Sequence, residues 1–190
     1  MALTFFGVII VSIFLTAFVF SLAPWLSEWF SPLMQSERSY IVFPPPYTWD
    51  LYFFIFLNNV SHFWNPVRMF VWVPLLGTFV LGLELLFNGV VIGVVATIVG
   101  MKRGVFYPIL GLVPHGIFEI PAFVFEFASL ICWQVSTIEV IMAKITGEKV
   151  NYAKFKRGVK DALILAVASV ILFVIAAFVE TYITPRLLGM

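Results

Sequence analysis

The sequence predicts an all-α, polytopic membrane protein: about five transmembrane helices and one short interfacial or re-entrant helix. These make a single integral membrane domain over residues 1–190. Three observations predict it. Hydrophobic residues make up 62% of the chain and charged residues only 11%, against about 25% charged in a soluble domain. Mean hydropathy is +1.07. Several apolar runs reach the roughly 20 residues that cross a hydrocarbon core, with polar or basic stretches between most of them. A net charge of +1 leaves no footprint for nucleic acid. The 22 phenylalanines suit lipid-facing and packing surfaces. The single cysteine, Cys132, excludes an intramolecular disulfide and a thiolate metal cluster and reads as a small buried hydrophobe.

Residues 3–22 carry no charge and form the first crossing. They lack a basic leader and a small-residue cleavage site, so they read as a retained helix. Ala23-Pro24 ends it, and Trp25 and Trp29 follow at interface depth. Residues 23–50 are a mixed-charge outer loop, locally extended at Pro44-Pro45-Pro46. Residues 51–64 are apolar but too few to cross, and they contain Asn58-Asn59; this is the interfacial or re-entrant helix. Asn65-Pro66 closes it, with the proline suited to open a helix. Residues 67–100 exceed the length of one crossing, and Asn88-Gly89 marks a kink or break. Gly89 and Gly93 have the spacing that lets helices approach closely. After the basic turn Lys102-Arg103 come crossings over 105–123 and 124–143, with no polar loop between them, so a re-entrant hairpin is the alternative. A basic loop over 144–160 holds Lys144, Lys149, Lys154, Lys156, Arg157 and Lys160. The last crossing, 162–183, stops at Thr184-Pro185. Placing both basic stretches in the cytoplasm puts the N-terminus inside and the C-terminus outside a cell membrane.

The stretch 114–122, Pro-His-Gly-Ile-Phe-Glu-Ile-Pro-Ala, holds the chemistry. His115, Glu119 and Glu126 share one helical stripe, and Glu84 and Asn88 make a second. Ionisable groups at membrane depth are expensive and face protein or a water-filled cavity. The simplest expectation is that the two stripes face each other and share hydrogen bonds. Pro114 and Gly116 suit a helix break, Asn58 and Asn59 suit the cap of a broken helix, and Glu180 sits near the outer end of the last span. Three function classes compete. The polar groups are structural glue; or Glu119 and His115 titrate along an ion or proton path; or His115 and Glu119 hold a metal for hydrolysis. The last is the weakest. A catalytic zinc wants three protein ligands, the only other histidine is His62, and neither HExxH nor GxSxG occurs. No catalytic residue, metal or cofactor is expected.

Four motifs in order resemble the stage II sporulation protein M family. They are Asn58-Asn59; Asn88-Gly89 with Gly93; Pro114-His115-Gly116 with Phe118, Glu119 and Ala122; and Ala176-Ala177-Phe178-Val179-Glu180 followed by Ile183-Thr184-Pro185. The resemblance covers most of the chain from Leu51 onward. Pro44-Pro45-Pro46 lies outside it, and Pro121 is atypical. In spore formers the family's namesake is a membrane scaffold that holds peptidoglycan-degrading enzymes at the septum. It is not known as an enzyme. Similar proteins occur in bacteria and archaea that make no spores, so the resemblance implies a general membrane role. The expected function is a non-catalytic scaffold or assembly protein. A small transporter or channel with Glu119 and His115 in the path is the alternative. Expected partners are the lipid bilayer, a second copy of the chain and other membrane or envelope proteins.

Overall fold

The structure is a computed structural model that describes residues 44–66 and 68–190. The crossing expected over 3–22, and the outer loop up to residue 43, lie outside the described residues. Helix α1 is Trp49–Asn59. Thr48 caps it by accepting from the Leu51 N–H at 3.3 Å, and Asp50 sits in the first turn, where the helix dipole favours negative charge. The chain leaves the α-helix after Asn59 and makes two 3-10 turns, Ser61–Phe63 and Arg68–Trp72. Leu75, in the left-handed region at φ 67, turns it into α2, Leu76–Arg103. Gly104, at φ 88, turns it again into α3, Phe106–Thr146. Gly147 ends α3 in the left-handed conformation, the usual helix stop. Asn151 caps α4, Tyr152–Phe178, by accepting from the Lys154 N–H at 3.0 Å. A π turn, Val179–Ile183, and a short α5, Thr184–Leu187, finish the chain.

The helices pack antiparallel in sequence order, with α3 in the middle. Against α4, the Phe123 and Phe173 rings meet edge to face at 4.9 Å. The Ser129 hydroxyl donates to the Ala162 carbonyl at 2.8 Å. Gly158 lies so close to Ser136 that a methyl there would overlap its hydroxyl. Against α2, Thr78 donates to the Gln134 side chain, while at the other end Gly100 lies 3.6 Å from Pro108. Gly77 is needed for close approach, since a methyl would strike the Val71 carbonyl and the Gln134 amide. The irregular segment 47–75 follows the bundle from one end to the other. The Tyr47 N–H donates to Thr181 at 3.3 Å, Val60 packs on Ala122 and Phe173, and the Trp133 indole donates to the Trp72 carbonyl at 3.1 Å. The levels of Thr181 and Ala162 are about 30 Å apart along a helix, so the segment covers roughly the hydrocarbon thickness. Non-helical backbone at that depth survives only when protein covers it, and Ser61, His62 and Val71 are all buried.

Among the described residues three helices are long and apolar enough to cross a membrane: Leu76–Arg103, Phe106–Thr146 and the continuous stretch Tyr152–Leu187. The sequence suggests about five; the one over 3–22 lies outside the described residues, and the remaining difference lies in α3. Two crossings are expected over 105–123 and 124–143; one helix of 41 residues runs through both. Neither Pro114-Gly116 nor Asn88-Gly89 with Gly93 breaks its helix. Opening a helix inside lipid leaves backbone groups unbonded, which costs more than the one bond a proline removes. The crossing placed over 67–100 begins at Leu76, because residues 68–72 are taken up by the second 3-10 turn. The last crossing starts ten residues early, at Tyr152 rather than 162, so the basic loop 144–160 is mostly helix and only 147–151 lie outside one. Lys102-Arg103, in the last turn of α2, precede the start of α3, and Lys144 lies in its last turn, so the two are a full helix length apart.

At 1.5 Å per residue α3 is about 60 Å long, twice the hydrocarbon core. Helix α2 starts level with Gln134, where Thr78 bonds it. Beyond that level α3 continues for about 18 Å, paired with the charged first turns of α4. Among the described residues the α3–α4 hairpin therefore stands clear of the other elements at that end. Its tip is tied by Lys154 to Glu139 at 2.6 Å and has a cleft of about 570 Å³ lined by Ser136, Glu139, Met142, Lys149 and Phe155. Ile141, Met142 and Ile145 are exposed on it.

Candidate functional site

The polar residues gather where the irregular segment passes between α2 and α3. His62 lies in the first 3-10 turn and is almost completely buried. The Trp72 indole donates to its carbonyl at 2.9 Å, which fixes the turn. Its ring is held from both sides: Nε2 is 2.6 Å from Glu84 Oε2 on α2, and Nδ1 is 3.0 Å from Glu126 Oε1 on α3. Arg68 Nη1 lies 3.4 Å from the other Glu84 oxygen and donates to the Ser61 hydroxyl at 2.8 Å.

The hydrogen-bond inventory sets the proton count. An ionised carboxylate only accepts, and a neutral imidazole donates from one nitrogen only. Both contacts are hydrogen bonds at once only if the ring carries two protons or one glutamate carries the missing one. Either way the triad holds one proton more than a neutral ring with two carboxylates, and its net charge is −1. Arg68 brings the group to neutrality. This matters because an uncompensated charge at membrane depth is costly.

A second group lies further along α3. Asn59, the last residue of α1, donates to Glu119 Oε1 at 3.0 Å. His115 Nε2 is 3.7 Å from Glu119 Oε2, an ion-pair distance too long for a hydrogen bond. Glu180 in the π turn is within electrostatic range of Glu119. Glu126 Oε2 and His115 Nδ1 are buried and have no hydrogen-bond partner among the described residues.

The residues expected at the site fall into three sets. His115 and Glu119 lie together. Glu84 and Glu126 share a partner, but the stripes do not touch directly, because His62 stands between them. Asn88 points to an exposed position and joins neither group, and Asn58 is exposed beside the buried Asn59. His62 is the residue that sequence reasoning passes over except as a third metal ligand. Its signal was its position, a histidine in an apolar stretch six residues before Arg68, where an ionisable side chain implies a buried partner. Among the described residues no group of three or more His, Cys, Asp or Glu side chains is arranged to hold a metal ion.

No solved structure matches this chain. It is similar to an uncharacterized protein of Methanocaldococcus jannaschii, with 33% identity over 134 residues. That alignment covers 62% of this chain and 66% of the relative, so the chain spans just under two thirds of that protein's length. The description of stage II sporulation protein M matches residues 1–185. With nearly the whole sequence matched and its polar positions borne on long apolar helices, this chain belongs to the stage II sporulation protein M family.

Proposed function

We propose that the protein is a non-catalytic membrane scaffold or assembly component, built as a rigid frame that presents the α3–α4 hairpin tip to a partner. The observation that carries this reading is the hairpin itself. It runs on about 18 Å past the level where α2 begins, held by close helix packing. It ends in exposed apolar and basic side chains. A surface of that kind outside the bilayer suits a protein partner of the membrane or envelope. The polar groups serve the frame: His62 and Asn59 fasten the irregular segment to α2 and α3. The exposed apolar belt of α2, including Phe79, Leu83 and Phe87, faces lipid or a second copy of the chain.

The basic tip supports a cytoplasmic placement, since lysine and arginine in short loops are retained inside. The end that holds Tyr47, Gly104 and Met190 is then outside, as are Lys102 and Arg103. The irregular segment counts as a crossing in this arrangement. The test is a photocrosslinking residue placed at Ile145 or, for comparison, at Met101, in cells that express the protein natively. A discrete adduct with a different protein at Ile145, lost on Lys149→Glu with Lys154→Glu, is expected. Adducts only with lipid or with itself at both positions contradict the reading.

A further inference from the structure

We infer that the protein holds an anionic phospholipid, with an acyl chain in the apolar groove between the second 3-10 turn, α3 and α4 and the headgroup on Lys156 and Lys160. This goes beyond the scaffold reading, which uses the hairpin tip and not this groove. The groove has a volume of about 130 Å³ and is lined by Trp72 from the 3-10 turn, Ser129 and Trp133 from α3, and Val159, Ala162 and Ala166 from α4. The polar atoms on its walls are already used inside the protein. The Ser129 hydroxyl donates to the Ala162 carbonyl, the Trp133 indole to the Trp72 carbonyl and the Trp72 indole to the His62 carbonyl. Water finds few partners in such a space, which therefore suits hydrocarbon.

The second support is depth. Residues 162–179 carry no charge, and Ala162 is level with Ser129, so the hydrocarbon begins at the groove. The Trp72 and Trp133 rings meet edge to face at 6.0 Å, and indoles favour the membrane interface. Leu163 forms part of the rim, and the exposed side chains of Leu163, Val167 and Ile171 continue from it as a stripe along α4. From the level of Lys160 to that of Ile171 is about 16 Å, one leaflet of a core of about 30 Å.

The third support is charge. Lys156, Lys160 and Leu163 share one face of α4, and lysine side chains there lean toward the helix N-terminus, which is the water side. Lys154 is tied to Glu139. Lys156, Arg157 and Lys160 are exposed and have no ion-pair partner among the described residues. The carboxylate beside them on α4 is Asp161, which is half-buried. Two lysines at headgroup depth favour an anionic lipid over a zwitterionic one by about tenfold. A second copy of the chain, inserted the same way round, would bring its own lysines to the same level and be repelled. The groove and the lysines above it thus fit the two ends of one lipid.

The full chain is reconstituted in phosphatidylcholine liposomes with rising fractions of phosphatidylglycerol, and one lipid or the other carries bromine on its acyl chains. Bromine quenches indole fluorescence on contact, and the signal of Trp133 is the difference between wild type and Trp133→Phe. Quenching of Trp133 by brominated phosphatidylglycerol is expected to be half complete at about a tenth of the fraction that brominated phosphatidylcholine needs. Lys156→Gln with Lys160→Gln is expected to remove that difference. Ala166→Leu, which fills the groove, is expected to weaken quenching by both lipids, and Lys102→Gln to change neither. Folding is checked by gel filtration and circular dichroism. If Trp133→Phe does not fold, Trp72→Phe supplies the difference signal, and if the double variant does not fold, Lys160→Gln alone is expected to lower the preference about threefold. Equal quenching by the two lipids in wild type, as a protein occupant of the groove would also give, overturns the lipid site. So does the wild-type preference in a folded lysine variant, or wild-type quenching in folded Ala166→Leu.

Discussion

His62 meets Glu84 through Nε2 and Glu126 through Nδ1, so replacing it with alanine leaves the buried Glu126 and the half-buried Glu84 with no shared proton. Removing one partner from a buried charged group costs about 3–5 kcal/mol, because the others stay buried and unpaired. Among the described residues Glu119 is held by one hydrogen bond, from Asn59, and such a bond within a membrane is worth about 0.6–2 kcal/mol. Thermal unfolding in detergent is therefore expected to show a larger loss for His62→Ala than for Glu119→Ala. The reverse order would place the weight on the central motif instead. The sequence shows the His115–Glu119–Glu126 stripe plainly, because helical periodicity brings residues four and seven apart onto one face. It does not show the His62 contacts, which join residues 22 and 64 positions apart. Local spacing carries no information about which distant carboxylates close on a histidine. Asn88 fails for the same reason: its place beside Glu84 on one stripe did not fix which way that face turned.

At the scale of the elements, hydropathy located the apolar runs and the turn after Lys102-Arg103, but not the caps at Thr48 and Asn151 or the stop at Gly147. It did not distinguish one helix of 41 residues from two crossings with a tight turn at Phe123, since both bury the same side chains in lipid. The continuity of α3 comes from backbone bonding and from its unbroken register with α4, from Phe123 on Phe173 to Ser129 on Ala162. Spin labels at Leu110 and Val140, with Cys132 replaced by serine, test it by pulsed electron resonance. One helix separates these positions by about 45 Å. Two antiparallel crossings bring them to within a few helix diameters, and a short distance would restore the hairpin that the sequence suggests.

For the whole molecule, the topology proposed above rests on a single passage of α3. The proposed topology puts Lys149 inside and Lys102 outside. In a Cys132→Ser background, a cysteine at residue 102 is expected to react with an impermeant maleimide on intact cells, and one at residue 149 only after lysis. Labelling of both on intact cells, or of neither, would contradict a single passage of α3. The shared framework depends on the segment 47–75, which reaches from Thr181 to Trp133 and carries α1 and the two 3-10 turns. It is held at mid-depth because His62 bonds to the two helices that flank it. The most direct measurement of that claim is a double-mutant cycle on thermal stability in detergent with His62→Gln, Glu126→Gln and the pair. If the residues are bonded as described, the losses are non-additive, with a coupling of about 1–3 kcal/mol. Losses that simply add would mean that His62 and Glu126 do not hold each other, and the lock between the irregular segment and α3 would be wrong.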